Sequence, residues 1–560
     1  MLSQNTGIQQ AKPESMKFAA LIQAVASGKV KVPQFQRDFV WNIRQTAELL
    51  DSMIKGYPIG TFILWETTER MNSVKNIGDL AEIPESRDGE KIAYVLDGQQ
   101  RITSLFAAHQ GATIRPAGEK KATNYKEIFV TLRNDSENDG EPIVTTVAPD
   151  GEHVPLREIL SAFSGGNHLT SLMDPSRFSE DARAKITQYL NALINYDFST
   201  IILQSGDMDV AIEVFTRINT SGKTLTLFEI MSAKTYDEKK CFDMHEKWQQ
   251  FVEDCKTAKF ESISSTVILY ILAAVLSDSK ECKKKTILRL KKEDIIENWD
   301  SVVDALRQSI TYMRTKLRVP VSGLLPYDSL LVPFAYFYYR RKGKGTPSEQ
   351  QQKLLEEFFW WVSLSHRYST SVESRLAQDI RKIDSILKEE APAYDSKVDL
   401  HNASVLRDYS FRASDSYCKA VLCLLAAEKP LDFETNGEVI LDNSWLRRAD
   451  SKNYHHFFPK KYLETQRQEH PAWHDNANSV MNITFVRDGL NKGRIGSKSP
   501  ADYIKEFEKN NSQIKETLAT HLIDREKDGI DENDYDLFLQ NRAKSVFEKL
   551  RAKLSEATRP

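Results

Sequence analysis

At Asp207 the hydrophobic rhythm of this chain changes in a way that no single domain accommodates. Before it, β-rich runs at residues 61–65, 91–96, 127–132 and 142–147 alternate with amphipathic stretches at 16–26 and 44–54. An extended piece lies at 32–35 and a polar turn at 134–140. Mixed periods of 2 and 3.6 residues predict an α/β or α+β domain. After Asp207, and as far as residue 428, almost only helical patterns occur, among them 266–276, 330–339, 351–362 and 417–427, with breaks near Pro320, 343–347 and Pro392. Near Pro430 the pattern changes again: short strand-like pieces, a His-rich turn and several Gly and Asn precede polar helices at 500–519 and 534–554. The expectation is a multi-domain α+β chain, with an α/β domain at 1–240, a helical connector at 241–430 and a small domain at 431–560. The length of 560 residues fits that division, since domains of roughly 150 residues are typical.

Composition excludes more than it identifies. No window approaches the roughly 18 consecutive apolar residues of a membrane span, and no basic start leads into an apolar run, so the chain is expected to be cytoplasmic and free of membrane. Five cysteines lack the CxxC spacing of zinc or redox sites and are expected to be reduced and mostly buried. A net charge of −3 advertises no nucleic-acid partner. Residues 441–510 carry twelve Lys/Arg against nine Asp/Glu, a weak lean toward phosphate contact that a solvated basic face explains more readily.

In Tyr454-His455-His456-Phe457-Phe458-Pro459-Lys460 two histidines end a short extended piece, and Pro459 stops it. Adjacent strand residues face opposite ways, so one imidazole can hold a metal while the other meets an attacking water. Paired histidines alone commonly just pack at a surface turn. Here, however, Asn482-Ile483-Thr484 and then Asn491-Lys492-Gly493 follow in order. Together these elements resemble the ββα-metal core of HNH (His-Me finger) nucleases. The resemblance implies that His455 and Asn491 are metal ligands, His456 the general base and Asn482 the brace of the loop. A histidine at 455, where many members carry Asp, makes the site less anionic and shifts the expected ion from Mg²⁺ toward Mn²⁺ or another transition metal. His474, between the elements, reads as a surface residue.

Near the N-terminus, the strand at 91–96 runs into Asp97-Gly98-Gln99-Gln100-Arg101 and then a helix. Strand-to-helix junctions expose backbone N–H groups that bind anions. Asp97 could hold Mg²⁺, while Arg101 adds charge; the plainer alternative is an N-cap and a surface ion pair. With Val32 to Trp41, the motif resembles the ParB/sulfiredoxin-like DGQQR domain. So do Val214 to Thr220 with Leu225 and Glu229, and Arg367-Tyr368-Ser369 with Glu373, Ser374 and Leu376. The resemblance implies a nucleoside triphosphate site (GTP or ATP, with Mg²⁺) at Gln36, Arg37, Asp97, Gly98, Gln99, Gln100 and Arg101. Sulfiredoxin's thiol chemistry is not implied, because no cysteine precedes Cys241. Ser221-Gly222-Lys223-Thr224 imitates the end of a P-loop, but Arg stands at 217 where that motif needs Gly, leaving Lys223 an ordinary loop lysine.

A DGQQR domain joined to an HNH domain resembles type IV, modification-dependent restriction enzymes of the GmrSD class and related phage-defence proteins. That implies a nucleotide-regulated, metal-dependent DNA endonuclease with NTPase activity, acting on phage DNA with modified bases, and a C-terminal domain that nicks DNA on its own. A single HNH site cuts one strand, so a homodimer or successive nicks are needed for a double-strand break. Two rivals stay open: a nucleotide-dependent DNA-binding regulator with an inactive HNH domain, and an RNA-cleaving abortive-infection toxin.

Overall fold

The computed structural model describes residues 12–560 apart from 34–38, 69, 72, 74–76, 78–82, 85–86, 88, 117–120, 133–140, 163–166, 205–209, 212–213, 215–216, 219–225, 444–453, 488–489, 491–493, 557 and 560. The turn expected at 134–140 therefore lies outside the described residues. The architecture is mixed α and β, in two compact units, Met1–Met244 and His245–Pro560. The boundary expected at 430 falls inside the second unit.

The first unit is built on a five-stranded sheet. Its described elements begin β1 (Lys12–Lys17), α1 (Phe18–Ala26), β2 (Val30–Lys31), α2 (Ile43–Ile54), β3 (Phe62–Thr67), β4 (Ile92–Asp97) and α3 (Gln99–Gln110). The strand Asp197–Leu203 lies between β1, antiparallel, and β3, parallel. β4 then pairs antiparallel with β3 and parallel with β2. Alternation sorts the side chains. Phe62, Leu64 and Val95 join the large core beneath α1, α2 and α3, whereas Trp65, Ile92, Tyr94 and Leu96 form a smaller one on the other face. α2 starts one residue before the expected Arg44 because Asn42 and Gln45 close a capping box. The strands at β1 and Asp197–Leu203 were not expected. β1 is polar and almost wholly exposed, so it carries no alternation to read and exists because its partner strand supplies the hydrogen bonds.

In the second unit the helices Thr266–Leu276, Lys292–Thr315, Leu331–Arg340, Glu349–Leu364 and Val372–Leu387 pack around aromatic side chains including Tyr336, Phe358 and Trp361. Arg367 organises them. Its guanidinium pairs with Asp379 at 2.7 Å and Asp395 at 2.9 Å, donates to Gln378 Oε1 at 3.0 Å, and lies 4.5 Å from the centre of the Trp361 ring. Arg367 and Asp379 are buried, so this pair serves packing, and it sits in the second unit rather than with the sheet. The helix expected at 500–519 is two helices, Pro500–Glu508 and Ile514–Ala519, because Asn511 between them turns its amide to Phe433 O and Thr517 Oγ1. Residues on either side of 430 interlock: Asn443 bonds Lys259 O, Glu261 and Gly323 N, and Val480 N donates to Tyr409 O.

Candidate active site

Tyr454–His456 and Ile483–Phe485 form a two-stranded antiparallel pair, with His455 opposite Thr484 and His456 opposite Ile483. Two strands of three residues are not stable in isolation, and the surroundings show what holds them. Arg542, fully buried on the helix Tyr535–Ala552, donates to the carbonyls of Met481, Ile483 and His521. Tyr503 Oη donates to Phe457 O at 2.6 Å. Asn482, with no exposed surface, accepts from Phe458 N at 2.8 Å and donates to Phe458 O and Ala477 O, each at 3.0 Å. The carboxamide thus ties the turn after His456 to the turn before the second strand. Pro459 then starts the helix Lys460–Thr465.

The two imidazoles part as strand alternation requires. His455 is 1% exposed, with its ring 6.2 Å from that of Tyr503. His456 is half-buried and lines a cavity of about 690 Å³ together with Lys460, Asn478, Arg412, Lys419 and Asp328. Three cations against one carboxylate make this an anion-attracting cleft. Burial pushes His456 down to about 4, opposed by its hydrogen bond with Asn478 and assisted by the charge of Lys460. The ring is therefore neutral at pH 7, as a proton acceptor must be. Burial likewise lowers Lys460 and Lys419 from the ordinary lysine value. Sequence reasoning overlooked Asn478, Lys460, Lys419 and Arg412 as site residues. Of these, only Lys460 adjoins the motif; Arg412 and Lys419 arrive from a segment read as connector.

Asn491 lies outside the described residues, although Leu490 just before it is helical. Among the described residues no three His, Cys, Asp or Glu converge on a metal position. The donor set assigned by resemblance is one imidazole and one carboxamide oxygen. Two neutral donors suit a divalent ion that keeps several waters, such as Mg²⁺ or Mn²⁺. His474 pairs with Glu464 at 2.9 Å, away from the cavity lining.

In the first unit, Asp97 ends β4 and Gly98 caps α3 in the left-handed region at φ 95°. A Cβ there would come 2.3 Å from the Phe62 ring, so glycine is required by packing. Arg101 is turned inward. Its guanidinium donates to Ile59 O at 2.7 Å and Thr61 O at 2.9 Å, meets Asp97 at 3.3 Å, and rests over Phe62. Burial lowers its proton affinity, and Asp97 partly restores it. Gln100 Oε1 accepts from Val40 N and Trp41 N, and Gln99 is buried as well. The motif thus organises the loops on either side of it, and Asp97 keeps a partly exposed carboxylate. Gln36 and Arg37 lie outside the described residues, as do Phe215, Thr216, 219–225 and with them Lys223. Glu229 closes a capping box with Thr226.

Residues 18–236, the span that contains Asp97 to Arg101, match the family model described as the GmrSD restriction endonuclease, N-terminal domain. An uncharacterized protein of Methanocaldococcus jannaschii is 24% identical over 595 aligned positions, covering 95% of this chain and 97% of that protein. No helix among the described residues is long and apolar enough to cross a membrane.

Proposed function

We propose that this chain is a metal-dependent DNA endonuclease of the restriction type, acting in phage defence, and that His456 is its general base. The observation that carries the reading is the His456 imidazole on the wall of a cationic cavity, beside a turn locked by Asn482. The family match of the first unit supplies the restriction context.

A phosphodiester drawn into the cleft meets Lys460, Arg412 and Lys419. His456 takes a proton from water that attacks phosphorus, a role worth roughly 10²–10⁴-fold in rate. By the resemblance, His455 and Asn491 would hold the divalent ion, and His455 faces Tyr503 rather than the cavity that His456 lines. When bound, that ion supplies charge stabilisation for the phosphorane and the leaving oxygen. The first unit is read as the nucleoside triphosphate site, with Asp97 available to Mg²⁺ and nucleotide turnover regulating cleavage; bases modified in phage DNA are the expected target. Whether GTP or ATP serves is decided by turnover assays on the parent and Asp97→Ala.

The test is nicking of supercoiled plasmid with Mg²⁺ or Mn²⁺, beside tRNA and phage DNA with ordinary or modified cytosine. The parent is expected to nick DNA and His456→Ala to lose at least 100-fold in rate. Equal rates for the two would reject the assignment of the base, and cleavage of tRNA alone would replace DNA with RNA as the substrate.

A further inference from the structure

The Asn478 carboxamide has two different neighbours, and its two ends are not interchangeable. Its Nδ2 donates to Phe411 O at 2.9 Å and to Ser410 Oγ at 3.2 Å, while Phe411 N donates to the backbone carbonyl of Asn478 at 2.7 Å. A backbone carbonyl only accepts, so the amide nitrogen must face Phe411 and the amide oxygen must face away. That oxygen lies 3.1 Å from His456 Nε2. An amide oxygen cannot donate, so the hydrogen of this bond belongs to the imidazole. A neutral imidazole carries a single N–H. With it on Nε2, Nδ1 is left as the basic nitrogen.

We propose that Asn478 is a positioning residue of the nuclease site: by accepting from His456 Nε2–H it fixes the tautomer and ring orientation in which Nδ1 receives the proton of the attacking water. The inference rests on the nuclease reading above. It adds that the orientation of the base is set from residues 410 and 411, which belong to the segment between the helices Ala403–Asp408 and Ser416–Ala427 and not to the motif. The bridge Ser410↔Ser479 and the bond from Ser479 Oγ to Arg407 O at 2.6 Å hold that segment against Asn478. Among the described residues, the charged side chains that line the cavity with His456 are Lys460, Arg412, Lys419 and Asp328.

The experiment uses the full chain as parent, Asn478→Ala, Asn478→Asp and His456→Ala. Plasmid nicking with Mn²⁺ gives kcat and KM, calorimetry gives Tm, and ¹⁵N-histidine NMR, assigned by difference against His456→Ala, reads the tautomer. Asn478→Ala removes the acceptor. It is expected to lower kcat about 10–100-fold, the usual effect of losing an orienting partner, with KM within about twofold and a mixed tautomer signal for His456. Asn478→Asp loses the donor to Phe411 O but keeps an acceptor toward Nε2. It should lower Tm while keeping kcat within about threefold of the parent and His456 in the Nε2–H form. Equal loss of kcat in both variants, in step with Tm, would reduce Asn478 to a structural role and overturn the proposal. So would a parent-like kcat in Asn478→Ala. If His456→Ala cuts like the parent, the assignment of His456 as the base falls and this proposal with it, while a parent that does not cut at all would sink the nuclease reading, a result distinct from either.

Discussion

Replacing Asn482 by Ala tests the construction of the site without touching a group that would meet substrate. Three hydrogen bonds disappear, and Phe458 N, Phe458 O and Ala477 O are left without the partner they have now. Phe457 and Phe458 have no exposed surface, so water has no ready route to these groups. A buried polar group left unmade costs about 1–3 kcal/mol, and partial relaxation brings three of them to about 3–5 kcal/mol. For a cooperative unit of this size, 1 kcal/mol moves Tm by about 2 °C, so the variant should melt about 6–10 °C lower. Asn482→Asp should be no better, because it keeps the acceptor for Phe458 N but sets a carboxylate against two carbonyls. Differential scanning calorimetry of the full chain reads the shift. A Tm for Asn482→Ala within about 2 °C of the parent would refute the claim that this carboxamide ties the two turns together.

Arg367→Ala should destabilise the second unit by about 3–5 kcal/mol, because it takes from the buried Asp379 carboxylate its nearest cation and leaves it Lys382 at 3.4 Å and the Tyr368 hydroxyl; denaturant titration checks this, and a change under 1 kcal/mol would remove Arg367 from the core network. Lys460→Ala and Arg412→Ala, measured by DNA binding at several salt concentrations, should each reduce the slope of log K against log salt by about one; unchanged slopes would mean the cavity wall does not meet phosphate. Acid should weaken the second unit. His521 is 2% exposed, donates Nε2–H to Leu431 O at 2.7 Å, and is pushed by burial down to about 3. The unfolded chain gains a proton below its ordinary value near 6.5 while the folded chain does not, so stability is complete above that pH and is lost as pH falls, by about 1.4 kcal/mol per unit. His456 adds to this loss, whereas Asp528, raised by burial to about 6, offsets one histidine below that pH. Tm should therefore fall between pH 6.5 and 4.5, and a flat or rising Tm would contradict neutral buried histidines.

Much of the helical architecture was legible because each helix displays its apolar face locally. Thr266–Leu276 was read to the residue, and Ser416–Ala427 within one. The sheet was legible where alternation is strong, at β3 and β4, and illegible at β1, whose residues are polar and owe their conformation to a strand some 180 residues away in sequence. At the site, motif spacing pointed to His455, His456 and Asn482. It could not point to Asn478 and Phe411, or to Arg542 and Ile483, which meet across 67 and 59 residues of sequence. Arg101 shows the opposite difficulty. A charged residue opening a helix after a strand reads as an anion hook, yet Gly60 and Gly98 leave room for its guanidinium to fold inward onto two carbonyls.

That inward turn bears on how the two units divide the work. In the first unit, Gly98, Gln100 and Arg101 serve to fix loops, so on the proposed reading a nucleotide would be met by groups around Asp97 rather than by Arg101 itself. In the second, the motif supplies the ring proposed as the base but little of its own support: three-residue strands, a buried arginine from the helix Tyr535–Ala552 and an asparagine clamped to residue 411 act together. A base held by contacts from so many parts of the chain cannot keep its orientation when those parts are removed. The smallest fragment expected to nick DNA is therefore 245–560, not 431–560, which lacks Ser410, Phe411, Arg412 and Lys419. Parent-like nicking by 431–560 would show that the strand pair needs none of this support.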